Sequence, residues 1–351
     1  MEEQSLYQNV RKKICRMIYE DIYHDGESIP PERKLAEDLG VSRVTVRKAL
    51  KLLEEEHIIE RVQGSGTRIA LEYGARTGNM DIITLVAPAQ NAFFSRFLDA
   101  FQTEAEELDS LVLYKQKPRQ QSLEQCLFHI YEKDLRNVVL WLEDMELDPE
   151  ALRKLRGLGM NIVLFDTALK SSYADSVCID NRDAVRRLVG CLQEEGCENI
   201  GFVGWDDEQV STVRIREEEF RKLCPEGGVL RIPREYHNCL DYMDPETAEE
   251  YLEKLRDCDG ILYQVGELAI PLERAARRKN INHRVAMIGE NYESRRKPAI
   301  MIEQDFQGMA ERIFGCLKKQ NRKGSAWKPG LYSEKGILKK GEDTEYACNG
   351  N

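Results

Sequence analysis

The chain lacks the marks of several protein classes, and each absence removes a reading. Among its 351 residues no apolar run is both long enough and free enough of charge to cross a bilayer. The opening stretch "MEEQSLYQNVRKKICRMIYEDIY" has no uninterrupted apolar segment. Neither a signal peptide nor a membrane partner is therefore expected, and the expected location is the cytoplasm. Ten cysteines are too few for a disulfide scaffold, and none forms a CxxC pair; the nearest two are Cys191 and Cys197. The five histidines are scattered without cysteine or carboxylate at metal-ligand spacing, so no metal is expected. No GxGxxG follows the first strand of an α/β unit, no GxxxxGK[ST] occurs, and no Ser/His/Asp arrangement announces a nucleophile. The reading is of a protein that is not an enzyme and needs no cofactor.

Positive charge is also scarce. The formal net charge is -11, yet residues 1–70 are almost neutral, with 12 Lys/Arg against 13 Asp/Glu. Within them, Ser42 to Lys51 holds four cations and no acid. A polyanion meets this local face first, while acids elsewhere weaken non-specific attraction. With 42% hydrophobic residues, a chain of this length can bury more than one core, which suggests two or three domains.

What is present begins with three helical patterns. Leu6, Val10, Ile14, Met17 and Ile18 can share one helix face. Pro31 is placed to open a second helix, "PERKLAEDL", which Gly40 ends. Ser42 can cap a third, with Val46, Ala49, Leu50 and Leu53 as its buried stripe. This stripe leaves Arg47, Lys48 and Lys51 on the outer side, and lets Ser42, Arg43 and Thr45 in the first turn enter a groove end-on. The runs "HIIERV" and "TRIAL", joined by "QGSG", read as a hairpin or wing whose tip, Gly64, Ser65 and Gly66, could come close to DNA. A helical hairpin with a solvated basic face and an ordinary turn is the plainer alternative.

The small polar stretch Glu72 to Asn79 is the best domain boundary. From Met80, short apolar strands alternate with helices, and a second such set starts near Asn181. Parallel sheets covered by helices, in two linked α/β lobes, would enclose a small molecule between strand ends. The domain plan is a winged helix-turn-helix over residues 1–70, a linker at 71–79, a two-lobed effector-binding and dimerisation domain over 80–340, and a flexible tail at 341–351. A final strand is expected near "LYSEKGILKKG".

The segment "IPPERKLAEDLGVSRVTVRKALKLLEEEHIIERVQGSGTRIA" resembles the winged helix-turn-helix of the GntR family of bacterial regulators. The resemblance implies that Arg33 and Arg43 lie near phosphates or bases, Thr45 and Arg47 near the groove, Ser42 at the helix start, and Gly64 to Gly66 at a minor-groove wing. Residues 80–340 resemble the periplasmic-binding-protein-like effector domain of LacI/GalR regulators, through "IDNRDAVRRLVGCLQEEGCENIGFVG", "VAMIGEN" and "IEQDFQGMAERI". In this combination the chain is similar to the arabinose-responsive repressor subgroup, without the hinge-helix element of ordinary LacI members.

Candidate effector-binding residues are Phe93 and Phe94, whose rings could stack on a sugar or belong to the core, Asp166 at a strand end, Arg216 as polar anchor or surface ion-pair member, and Gln304. Where the resembled family has asparagine-aspartate after "GILYQV", this chain has Gly266 and Glu267. Where it has glycine-phenylalanine-aspartate, this chain has Gly289, Glu290 and Asn291. Such changes alter the hydrogen-bond pattern of a pocket, so a sugar effector is compatible with the residues but its identity does not transfer. The functional expectation is a sequence-specific regulator, a repressor acting as a homodimer on pseudo-palindromic double-stranded operator DNA. The alternatives are a non-sugar metabolite or protein as effector, and a binding module without specific DNA binding.

Overall fold

The computed structural model describes residues 2–62, 66–71, 80–87, 92–117, 120–142, 147–236, 243–289, 300–323 and 326–340. The expected fold class is the one observed: a winged helix-turn-helix head followed by α/β layers of the periplasmic-binding-protein type. The head contains α1 (Glu2–Tyr19), α2 (Glu32–Leu39), α3 (Arg43–Glu55) and the antiparallel pair β1 (Ile59–Val62) and β2 (Gly66–Ile69). Gly40 ends α2 in the left-handed region at φ 66°, where a side chain would be strained. Val46, Ala49, Leu50 and Leu53 are buried along α3, as the spacing predicts.

The α/β part begins with β3 (Ile82–Ala87), α4 (Ala92–Glu107), β4 (Leu111–Gln116), α5 (Leu123–Glu132), β5 (Asn137–Trp141), α6 (Pro149–Gly157), β6 (Asn161–Phe165) and β7 (Asp175–Ile179). It continues with α7 (Asn181–Glu194), β8 (Ile200–Trp205), α8 (Ser211–Leu223), β9 (Val229–Ile232), α9 (Pro245–Glu253), β10 (Gly260–Tyr263), α10 (Gly266–Lys279) and β11 (Arg284–Ile288). The chain closes with β12 (Ile300–Glu303), α11 (Phe306–Lys323), β13 (Leu331–Glu334) and β14 (Ile337–Lys340). Among the described residues one sheet has the order β13-β7-β6-β5-β3-β4 and the other β14-β12-β11-β10-β8-β9. β3 pairs in parallel with both β4 and β5, and β10 with both β8 and β11.

The chain divides into two compact units: Met1–Phe165, Leu169–Ser176 and Ala310–Tyr332 in one, and Asp166–Ala168, Val177–Met309 and Ser333–Asn351 in the other. In the first, an apolar cluster runs from Val10, Ile14 and Ile18 of the head through Leu50 and Leu53 to Leu127, Tyr131 and Leu155 of the α/β layers. In the second, Trp205, Tyr263 and Leu272 belong to one cluster, and Val185, Phe202 and Ile302 to another.

Two elements differ from the expectation. β7 was not foreseen: its Asp175 and Ser176 are wholly buried, a pair that reads as loop in sequence. Asp175 accepts from Gln320 Nε2 at 2.8 Å, Trp327 Nε1 at 3.0 Å and the Gly330 backbone at 2.8 Å, which makes its burial tolerable. The other is α11, which follows the second set in sequence but from Ala310 onward belongs to the first unit. Phe314 meets Phe101 with ring centroids 4.8 Å apart, and Gln320 bonds both backbone groups of Ile162. The single final strand resolves into β13 and β14, one in each large sheet.

Candidate nucleic-acid interface and effector site

In the head, Ser42 caps α3 by accepting from the Thr45 backbone at 3.1 Å. The hydroxyls of Ser42 and Thr45 are 2.8 Å apart, and Thr45 is only 6% exposed, so its side chain supports the helix start and offers little surface. Ser42, Arg43, Arg47 and Lys48 are exposed on the same helix end, beside the fully apolar side chain of exposed Val44. Arg33 is exposed on α2 and 3.7 Å from Glu37. Gly66 is exposed at the start of β2, whereas Gly64 and Ser65 lie outside the described residues.

The cations of this face are not all available, which the sequence window did not reveal. Arg47 donates from Nη2 to Glu32 Oε2 at 2.9 Å and from Nε at 3.1 Å. The hydrogen bond from Arg47 holds the Glu32 carboxyl below the ordinary carboxylate range. Glu32 lies on α2, so an acid enters the reading surface from fifteen residues away in sequence.

The candidate effector residues fall in both units, and each unit carries its own constellation. In the first, Phe94 is fully buried, with its ring parallel to Trp141 at 5.4 Å. This places Phe94 in the core, the second of its two readings, with no part of its ring exposed. Phe93 is half-buried, with centroids 5.3 Å from Trp141 and 6.0 Å from Phe165.

In the second unit Gln264 and Gln304 follow the carboxyl ends of the parallel strands β10 and β12, the end at which open α/β sheets bind ligands. Arg216 on α8 is 3% exposed, so it is an interior guanidinium and not a member of a surface ion-pair row. Its Nε donates to Asn181 Oδ1 at 2.6 Å and its Nη1 to the Gln264 carbonyl at 3.0 Å. Burial pulls its pKa down from the ordinary arginine value, and the nearby Asp166 carboxylate partly restores it. Asp166 sits in the left-handed region at φ 54°, its backbone donating to the Val177 carbonyl at 2.9 Å. The same carboxylate and, above all, burial push the Cys178 thiol up to about 12. Gln264, just beyond β10, accepts from the Trp205 backbone at 2.9 Å, and Gly204 leaves room for that side chain where a Cβ would collide with it. Ser211 accepts from the Ala168 backbone at 3.0 Å. The Gln304 side-chain oxygen, just beyond β12, is shielded from solvent and accepts no hydrogen bond from a described residue. Glu267 is half-buried in the first turn of α10, and Glu290 and Asn291 lie outside the described residues.

Asn181, Ser211 and Gln264 were not singled out from sequence. Gln264 does stand next to the Gly266-Glu267 departure, a signal that could have found it. Asn181 had none, because its role depends on α7 and α8 meeting. Among the described residues no group of His, Cys, Asp and Glu could hold a metal, and no helix is long and apolar enough to cross a membrane.

The arrangement defines a class: a winged helix-turn-helix head joined to an α/β body of periplasmic-binding type. Residues 6–69 match the profile described as "Bacterial regulatory proteins, gntR family", so the head is a GntR-type domain. Over 72 residues the chain is 40% identical to the mannosyl-D-glycerate transport/metabolism system repressor MngR of Escherichia coli, covering 20% of this chain and 30% of that one. It is 41% identical over 64 residues to the HTH-type transcriptional regulator SmoD of Agrobacterium fabrum, covering 18% and 27%. The chain thus spans under a third of the length of these curated relatives.

The body matches solved structures in fold. The Cra transcriptional dual regulator from Pseudomonas putida, in complex with fructose 1-phosphate, aligns with TM-score 0.59 and 17% identity over 75% of this chain and 99% of that one. The trehalose repressor from Escherichia coli aligns with TM-score 0.57 and 13% identity over 74% and 100%. The C-terminal fold is therefore LacI/GalR-like.

Proposed function

We propose that the protein is a non-catalytic, sequence-specific transcriptional regulator, a repressor, whose affinity for operator DNA is controlled by a small hydroxylated effector. The observation that carries the reading is the capped start of α3, which exposes Ser42, Arg43, Arg47 and Lys48 together within the segment that matches the GntR profile. Hydrogen-bonding groups there can read base edges, while the cations and helix-end amides hold phosphates. Two heads of a homodimer would read the halves of a pseudo-palindromic site.

The effector side rests on the second unit. Arg216 supplies buried donors, Asp166 a carboxylate acceptor and Gln304 a shielded amide, a set suited to a ligand that both donates and accepts, as sugar hydroxyls do. Phe93 is the aromatic candidate of the first unit. A Cra regulator bound to fructose 1-phosphate and a trehalose repressor, both similar in fold, agree with this ligand class. A GntR-type head on a LacI-like body is also the organisation of the arabinose-responsive repressor subgroup which the sequence resembles.

The test is selection of fragments from a random-sequence DNA pool, followed by titration at several salt concentrations. A regulator yields a preferred fragment that binds saturably, with affinity falling steeply as salt rises. A folded protein that shows no preference among sequences overturns the reading.

A further inference from the structure

The head meets the first α/β layers through a seam built along α1. Val10, Ile14 and Ile18 are buried with the other head helices, while Arg11, Cys15 and Tyr19, spaced four apart on a second stripe, meet α5 and the residues after it. The Tyr19 ring stacks on Phe128 with centroids 4.2 Å apart and planes 10° apart. Its hydroxyl donates to the Glu124 carbonyl at 3.1 Å. The Tyr131 hydroxyl, fully buried, donates to Cys15 Sγ at 3.3 Å. Arg16 pairs with Glu132, and Lys154 on α6 with Asp21 at 2.5 Å. Leu71, at the head's edge, packs on Gly157 so closely that a Cβ there would come within 2.9 Å of the Leu71 Cβ. A head working as a separate module would have Arg11 and Cys15 in water; here they are 5% and 0% exposed.

Arg11 stands where this seam reaches α3. Its Nε and Nη2 grip the Glu56 carboxylate at 2.8 and 2.7 Å, and its Nη1 faces Asp134 Oδ1 at 3.5 Å. Glu56 is the residue that closes α3, and Asp134 follows α5. The seam thus holds the far end of α3 and leaves its first turn, with Ser42, Arg43 and Arg47, exposed.

We propose that Arg11 is a positioning residue for DNA reading, fixing the C-terminal end of α3 to the first lobe so that head and lobe move as one piece. The proposal rests on the regulator reading above. It makes the orientation of the whole piece, and not slack in a tether, the quantity through which a body of this type acts on DNA affinity.

The test uses full-length wild type, the single charge reversals R16E and E132R, their double swap, and Arg11→Lys, which keeps the charge but cannot grip a carboxylate with two parallel donors. The DNA probe is the fragment that wild type selects from the random pool. By amide hydrogen exchange, the fragment slows opening of α3 in every folded variant. In wild type it also slows α5 by about fivefold or more, the low end of ordinary coupling between sites. The single reversals and Arg11→Lys lose the α5 effect, and the double swap recovers it. Calorimetry without DNA shows head and first lobe melting together in wild type and the swap, and an earlier head transition in the reversals. If α5 is untouched by the fragment in wild type, or responds equally in Arg11→Lys and both reversals, the proposal is overturned while the regulator reading stands. A pool that yields no preferred fragment removes the regulator reading and the proposal with it.

Discussion

The acid that matters most to the reading surface is Glu32, because it neutralises Arg47 in the DNA-free protein. A phosphate or base edge must compete with that carboxylate for the same guanidinium. Glu32→Gln is therefore expected to raise affinity for the selected fragment several-fold at low salt and to make the fall of log affinity with log salt steeper by about one ion. Filter-binding titrations at four salt concentrations check this; an unchanged slope and affinity would mean that Arg47 does not face DNA. Arg216 calls for a different measurement. Arg216→Ala leaves the Asn181 oxygen and the Gln264 carbonyl without their donor, at a cost of about 1–3 kcal/mol for each group left buried. Urea unfolding should show that loss, and a thermal-shift panel of sugars and sugar phosphates that stabilises wild type should no longer stabilise the variant. A panel response surviving intact would remove Arg216 from the effector set. At this scale the sequence exposed what a motif fixes, such as the Ser42 cap, and concealed what only packing fixes. The Glu32 pair and the Asn181 contact both depend on which helices meet, and no local spacing encodes that.

Among the elements, the head shows most plainly how local chemistry sets boundaries. Pro31 precedes α2, Gly40 closes it in the left-handed region, and Ser42 opens α3. Ser42→Ala is expected to cost about 1 kcal/mol by orphaning the Thr45 amide, read as a lower denaturation midpoint of the transition that contains the head. Gly40→Ala should cost a similar amount, about 1 kcal/mol, through strain at positive φ, with no change in contacts, since nothing lies within 4 Å of the added Cβ. A midpoint unchanged in both variants would contradict the cap geometry. Helices with strong caps and strands with unbroken apolar runs were legible for the same reason: each signal is contained within a few residues. β7 was not, because its buried polar start is paid for by Gln320, Trp327 and Gly330, more than a hundred residues further on. The assignment of α11 to the first unit was equally hidden, since its apolar stripe fits either sheet until Phe101 and Ile162 are known to face it.

For the molecule as a whole, the acidic balance has a definite expression in the second unit. Burial works against the charge of Glu217, but Arg231 and Arg221 outweigh it and hold the carboxyl below its ordinary range; Glu219 is held likewise by Arg182 and Arg186 against the same burial. A carboxyl with a lowered folded-state pKa stabilises the fold above its unfolded pKa, and that stability is lost as pH falls through the folded value. Urea midpoints of wild type should therefore drop between neutral pH and about pH 3. Glu217→Gln should start lower and drop less; a parallel drop would show that this cluster does not govern the acid limb.

The return of the chain to its first unit also sets an order of events during synthesis. Residues 310–332 leave the ribosome after residues 177–309 of the second unit, yet Phe314 and Gln320 among them pack on Phe101 and Ile162 of the first. Until they emerge, that face of the first unit stands bare, and the nascent chain carries a finished head on an unfinished support. A product stopped at Met309 should accumulate as insoluble or proteolysed chain, instead of as a soluble protein that lacks only its last elements. Completion of the first unit thus waits for a segment that follows nearly all of the second.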